Sequence, residues 1–172
     1  MSQTIERSIE VEVPASVAYA TWTQFELFPH FMEDVEEVKQ LDDRHLHWRA
    51  EVWGATEEWD AEITEQIPDK RIAWRSSGGA TNAGVVTFHR LSDERARVML
   101  QMAYDPARFA EKVADALGVF TRRVEADLRG FKRFVETQGD RIAGWRGEVP
   151  AKDDAAQRER DLARASASAR GE

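Results

Sequence analysis

A chain of 172 residues, 42% hydrophobic and 33% charged, has the size and composition of one globular domain with a little chain to spare. It holds no apolar run of the ~18 residues a transmembrane helix needs, and no cysteine, which excludes disulfides, thiol catalysis and cysteine-ligated metals. The net charge is −8, and residues 1–40 carry eight acids against Arg7 and Lys39; the lack of a basic footprint argues against nucleic acid and disfavours an anionic membrane surface as partners.

The first expected element is a strand over Ile5–Val13, where Ile5, Ile9, Val11 and Val13 alternate with Glu6, Ser8, Glu10 and Glu12. This stretch lacks the apolar core of a secretory signal, and the cytoplasm is the expected location. Pro14 ends the strand and opens a short helix over Ala15–Trp22. A second short helical segment or turn, Phe25–Met32, is dense in aromatics.

Strands are then expected near 34–42, 45–53, 56–67, 70–76, 83–91 and 95–104, punctuated by Asp42-Asp43, Gly54-Ala55, Pro68-Asp69, Gly78-Gly79 and Ser92-Asp93. Alternation assigns their faces. Leu46, Trp48 and Ala50 oppose His47, Arg49 and Glu51; Trp59, Ala61 and Ile63 oppose Glu58, Asp60 and Glu62. Ile72 and Trp74 oppose Arg71 and Arg75, and Val98, Leu100, Met102 and Tyr104 oppose Arg97 and Gln101. One sheet face is wet and the other apolar.

Phe109, Val113, Leu117, Phe120, Val124, Leu128, Phe131 and Val135 then recur at spacings of three and four, which marks one long helix over 106–138 with a single apolar stripe. Asp105 and Pro106 suit its start and Gly139 its end. Residues 140–172 lose this periodicity and read as a flexible or partly helical tail, in which Trp145 either docks on the body or stands exposed. The domain is therefore placed at 1–139 and the tail at 140–172. The expected class is α+β: a curved antiparallel sheet of about seven strands around a long C-terminal helix, with two short helices after the first strand.

This order resembles the helix-grip domains of the SRPBCC superfamily (START and birch-pollen-allergen-like), and within it the polyketide cyclase/dehydrase and coenzyme-Q-binding START-like branch. The resemblance is carried by IEVEVPASVAYATW (Ile9 to Trp22), FELFPHFMEDVEEV (Phe25 to Val38), WRAEVWGATEEWDAEI (Trp48 to Ile63), RIAWR (Arg71 to Arg75), GVVTFHRL (Gly84 to Leu91) and the 106–138 helix. It implies a cavity between sheet and long helix that takes a lipid, quinone, isoprenoid, polyketide or other hydrophobic small molecule, and in some branches catalyses cyclisation or dehydration.

Parity sends Trp48, Trp59, Trp74, Phe88, Met102 and Tyr104 to the inner face. Trp22, Phe28, Phe31 and Met32 come from the short helices over the cavity mouth, and Phe120 and Val124 from the long helix. These twelve are the expected cavity lining, since aromatic walls suit flat ligands. Gly118, by lacking a side chain, leaves room in the same region. His30, His45, His47 and His89 share no metal spacing, and no metal or other cofactor is expected. Glu57 is the one paired carboxylate with inward parity. Tyr104 is the only inward polar aromatic on the strands and the sole, weak catalytic candidate; Arg49, Arg71 and Arg75 all fall outward. The leading reading is binding of a hydrophobic molecule. A polyketide aromatase/cyclase or dehydratase, and a protein-interaction module with a closed core, are the alternatives, and the oligomeric state is left open.

Overall fold

The computed structural model describes residues 3–52, 54–79, 82–104 and 116–150. Strand β1, Gln3–Val11, leads to helix α1, Ala15–Trp22, and a 3-10 helix, Phe25–His30. Six strands follow: β2 (Val35–Gln40), β3 (His45–Val52), β4 (Ala55–Ile67), β5 (Arg71–Gly79), β6 (Asn82–Ser92) and β7 (Arg95–Tyr104). Helix α2, Ala116–Gln138, closes the domain and runs into a short 3-10 turn, Gly139–Arg141. The expected cap and first turns of this helix, residues 105–115, lie outside the described residues.

All neighbouring strands pair antiparallel in the order β1-β7-β6-β5-β4-β3-β2, in one curled seven-stranded sheet. The short helices carry the chain between the two edge strands. β1 ends two residues before the expected Val13. Beyond Val11 the chain leaves β7, and the Glu12 N–H donates to the Glu136 carboxylate of α2 instead of to the ladder. α2 lays Val124, Leu128, Phe131 and Val135 on the sheet, all buried, which is the stripe its spacing encodes.

One departure from alternation has consequences. The β4–β5 register slips between Ile63 and Glu65, and such a bulge reverses the face of every later residue. Gln66 therefore points inward, opposite Ile72, and is 1% exposed. Beside it Tyr19 is fully buried, and neither its hydroxyl nor the Gln66 amide has a geometrically proper hydrogen-bond partner.

Residues 142–150 cover this end. The Gln66 N–H donates to the Val149 carbonyl at 2.7 Å and the Val149 N–H to the Gln66 carbonyl at 2.9 Å. Arg146 forks onto Asp69 through two bonds of 2.6 and 2.9 Å and lies 5.7 Å from the Tyr19 ring centre. The Trp145 N–H donates to Thr23 Oγ1, and its indole packs on the core. Gly144 adopts φ +64° with its backbone so close to Ala20 that a Cβ would meet that residue's Cβ at 2.5 Å. Among the described residues, no helix is long and apolar enough to cross a membrane.

Candidate functional site: an aromatic cavity with a charged seam

Between the sheet and the first described half of α2 lies a cavity of about 180 Å³. Its floor comes from alternate residues of neighbouring strands. Trp48 of β3 stands directly opposite Trp59 of β4, and the two indoles stack at 5.9 Å between centres with 5° between planes. Trp74 of β5 pairs with Gly84 of β6, and a Cβ on Gly84 would sit 2.5 Å from the Trp74 ring. Glycine is what lets that indole lie across the backbone of the neighbouring strand. Met102 of β7 completes the floor.

The short helices supply one wall, and there Trp22, Phe28 and Met32 line the space. Phe28 meets Trp48 edge-on at 5.6 Å and Trp22 at 5.4 Å, which locks wall to floor. Phe120 and Val124 come from α2. Nine of the twelve residues named from the sequence border this space. Tyr104 ends β7, and its side chain lies outside the described part of the molecule.

Two expectations are corrected. Phe88 faces inward as its parity requires, but its ring packs between Tyr19 and Trp22 at 5.5 and 6.3 Å, in solid core beyond the cavity. Phe31 follows the 3-10 helix and turns to α2, 5.6 Å from Phe131 and 5.1 Å from Phe134, so that it lines an outer groove instead. Glu57, opposite Ala50 at the start of β4, is not among the residues lining the cavity.

Sequence reasoning missed the polar part of the site. Arg123 and Asp127, one turn apart on α2, line the cavity together with Asp34, which precedes β2. Arg123 is ion-paired to Asp34 and so ties α2 to the loop beneath the 3-10 helix. Asp127 makes no hydrogen bond or ion pair among the described residues, and burial pushes its carboxyl up to about 7 against the opposing pull of Arg123. Asp34 and Asp127 also line the outer groove, a space of about 480 Å³ shared with His30, Phe31, Glu33 and Arg133. Asp34 and Asp127 thus form the seam between the two spaces, with Arg123 beside them on the cavity side. The one available signal was the i, i+4 spacing of Arg123 and Asp127 on the flank of the apolar stripe, which ordinarily marks an exposed helix pair.

The arginines with outward parity stay outside. Arg49 pairs with Glu36 and Glu37, Arg71 with Glu65, and Arg75 with Glu62. The histidines are likewise engaged at the surface. His47 contacts Asp60 at 2.7 Å and Glu58 at 3.3 Å, and the Asp60 bond foremost raises its pKa. His45 contacts Asp42, His89 contacts Thr87, and His30 stacks on Phe134. Among the described residues no group of three His, Cys, Asp or Glu side chains is placed to hold a metal ion.

A model of the family described as polyketide cyclase / dehydrase and lipid transport matches residues 11–133. An uncharacterized 17.2 kDa protein in the melC2-rnhH intergenic region of Streptomyces lincolnensis is 53% identical over 146 residues, spanning 84% of this chain and 97% of its own length. A crystal structure of a Deinococcus radiodurans protein is 30% identical with a TM-score of 0.60, covering 78% of this chain and 98% of that one. The Zhui aromatase/cyclase of a Streptomyces species has a TM-score of 0.69 at 16% identity, over 84% of this chain and 100% of that one. At that identity the likeness is one of fold.

Proposed function

We propose, for a chain that belongs to the polyketide cyclase / dehydrase and lipid transport family of the SRPBCC superfamily, that it binds a flat hydrophobic small molecule in the cavity between sheet and α2. The observation that carries this reading is the wall itself: stacked Trp48 and Trp59, with Trp22, Trp74 and Phe28, around about 180 Å³ of space. A dry apolar cavity of about 150 Å³ is enough to take benzene, so this one admits one or two fused rings as it stands. A longer polyketide, quinone or isoprenoid would extend through the seam into the outer groove. The twelve residues named from the sequence, less Phe31 and Phe88, are the proposed contacts, Tyr104 among them.

The test is native mass spectrometry of the full chain purified from its own source, followed by organic extraction. A lipophilic compound retained at one equivalent supports the reading and gives its chemical class. A protein that emerges empty and whose tryptophan fluorescence is unchanged by bicyclic aromatic probes overturns it.

A second reading, aromatase/cyclase or dehydratase, is favoured by the seam. The strands bring no arginine inward, but α2 supplies Arg123, with a carboxyl at Asp127 able to exchange a proton near neutrality. It requires conversion of a linear poly-β-ketone to a cyclic product, with Asp127→Asn abolishing turnover while the substrate still binds. Binding without any conversion by the unaltered protein overturns it.

A further inference from the structure

We propose that the Asp127 carboxyl is the hydrogen-bond donor that holds an oxygen atom of a neutral ligand, and so selects flat molecules bearing a ketone or quinone oxygen over pure hydrocarbons. The inference rests on the binding reading above and adds a specificity determinant to it.

Three observations carry it. Asp127 lines a space whose exposed wall is mostly apolar, its other polar residues being Asp34, Glu51, Asn82 and Arg123. Its half-buried carboxyl borders the cavity and has no hydrogen-bond partner among the described residues, so it has a hydrogen bond to offer a ligand atom there. Arg123, the cation whose charge acts on Asp127, is already committed to Asp34.

The charges then choose the ligand's character. Asp34 and Arg123 neutralise each other, and burial keeps the proton on Asp127 up to about pH 7. A cationic ligand would face Arg123, and an anionic one would compete with Asp34 for it. A neutral oxygen acceptor leaves the seam balanced. The other charged or titratable groups around the seam are Glu51 of β3 on the cavity side and His30, Glu33 and Arg133 on the groove side. A protonated carboxyl donates one hydrogen bond, whereas a carboxylate only accepts. Preference for the oxygen is therefore lost once Asp127 ionises.

A matched pair of neutral probes tests this: 2-acetylnaphthalene and 2-ethylnaphthalene, which differ mainly in the carbonyl oxygen. Each is titrated calorimetrically into the full chain at about pH 5.5 and about pH 8.5, on either side of the Asp127 value. At the lower pH the ketone binds about tenfold tighter than the hydrocarbon, the worth of one good hydrogen bond. At the higher pH that preference collapses, while the hydrocarbon's affinity is unchanged. Asp127→Asn keeps an N–H donor, so its ketone preference becomes independent of pH, with the surrounding ionisable groups intact. Asp127→Leu shows no preference at either pH, and thermal melts establish that both variants fold. An equal preference at both pH values, a pH dependence that survives in Asp127→Asn, or a ketone preference that survives in Asp127→Leu overturns the proposal and leaves the binding reading standing. Failure of both probes to bind at either pH overturns both.

Discussion

The two ends of the sheet's concave face are built from the same strands and the same helix, yet one is solid and the other hollow. At the solid end Phe88 meets Tyr19 edge to face, and Phe88 and Phe131 meet the far side of Trp22, whose indole divides the two ends, all at 4.9–6.3 Å, and residues 142–150 seal the outside. At the hollow end the indoles of Trp48 and Trp59 stack flat against each other and leave space before Phe120 and Val124. Edge-to-face rings fill volume in three directions, whereas parallel rings make a wall. The difference teaches that the aromatic content of this chain serves two purposes, and that geometry separates them.

The largest expected difference between the two ends is in stability. Phe131→Ala at the solid end, where the ring is fully buried, costs about 3–5 kcal/mol. Trp59→Ala at the half-buried wall costs clearly less, despite removing a larger side chain. Urea denaturation of the two variants checks the order, and equal costs would erase the distinction between the ends.

Next in size is the seal. Truncation after Gly139 removes two backbone hydrogen bonds to Gln66 and the forked Arg146–Asp69 pair, and uncovers Tyr19. The expected loss is about 2–3 kcal/mol. Truncation after Pro150 keeps all of these contacts and is expected to cost less than truncation after Gly139, which would place the domain's end beyond the 139 expected from periodicity. Thermal melts of the two proteins decide between those boundaries.

Gly84→Ala acts on the hollow end alone. The new Cβ would press on Trp74, at a cost of about 1–3 kcal/mol. Because the indole gives way into the cavity, affinity for 2-ethylnaphthalene falls further than stability does. A calorimetric titration beside a urea melt measures both.

The last effect is read as a slope against pH. The Asp127 value in the fold, about 7, lies above its ordinary 3.8, so the folded state holds this proton more tightly than the unfolded chain. Its contribution to stability is fully present below about pH 4 and is lost as pH rises to about 7. Asp42 and Glu136 are shifted downward, so they lose stability in the opposite direction, as pH falls. Subtracting the pH profile of Asp127→Asn from that of the unaltered protein isolates the Asp127 term, and a flat difference would contradict the burial assigned to it.

Much of this was legible in the sequence. Period-two alternation placed the strands to within a few residues, and helix α1 falls at the expected Ala15–Trp22. Alternation also gave the correct face to Trp48, Trp59, Trp74 and Phe88, but face is not position along a strand. Phe88 points inward and still misses the cavity, because it lies toward the solid end. Gln66 was hidden by a bulge that no residue between Ile63 and Glu65 announces. Arg123 and Asp127 carry only the i, i+4 spacing of an ordinary helix pair, and it is the fold that places Asp34 against Arg123 and leaves Asp127 without a hydrogen-bond or ion-pair partner among the described residues. The docking of residues 142–150 depends on single contacts at Trp145, Arg146 and Val149, which no periodicity encodes.

The most direct test of the central claim is to map where a probe sits. In NMR spectra of the full chain titrated with 2-ethylnaphthalene, saturable shifts are expected in the indole N–H signals of Trp22, Trp48, Trp59 and Trp74 and the methyl signals of Met32 and Met102. Signals from Val98, Val135 and Val149 at the solid end should stay still. Shifts centred on the solid end, or none up to the probe's solubility, would contradict the claim that the hollow end is a binding site.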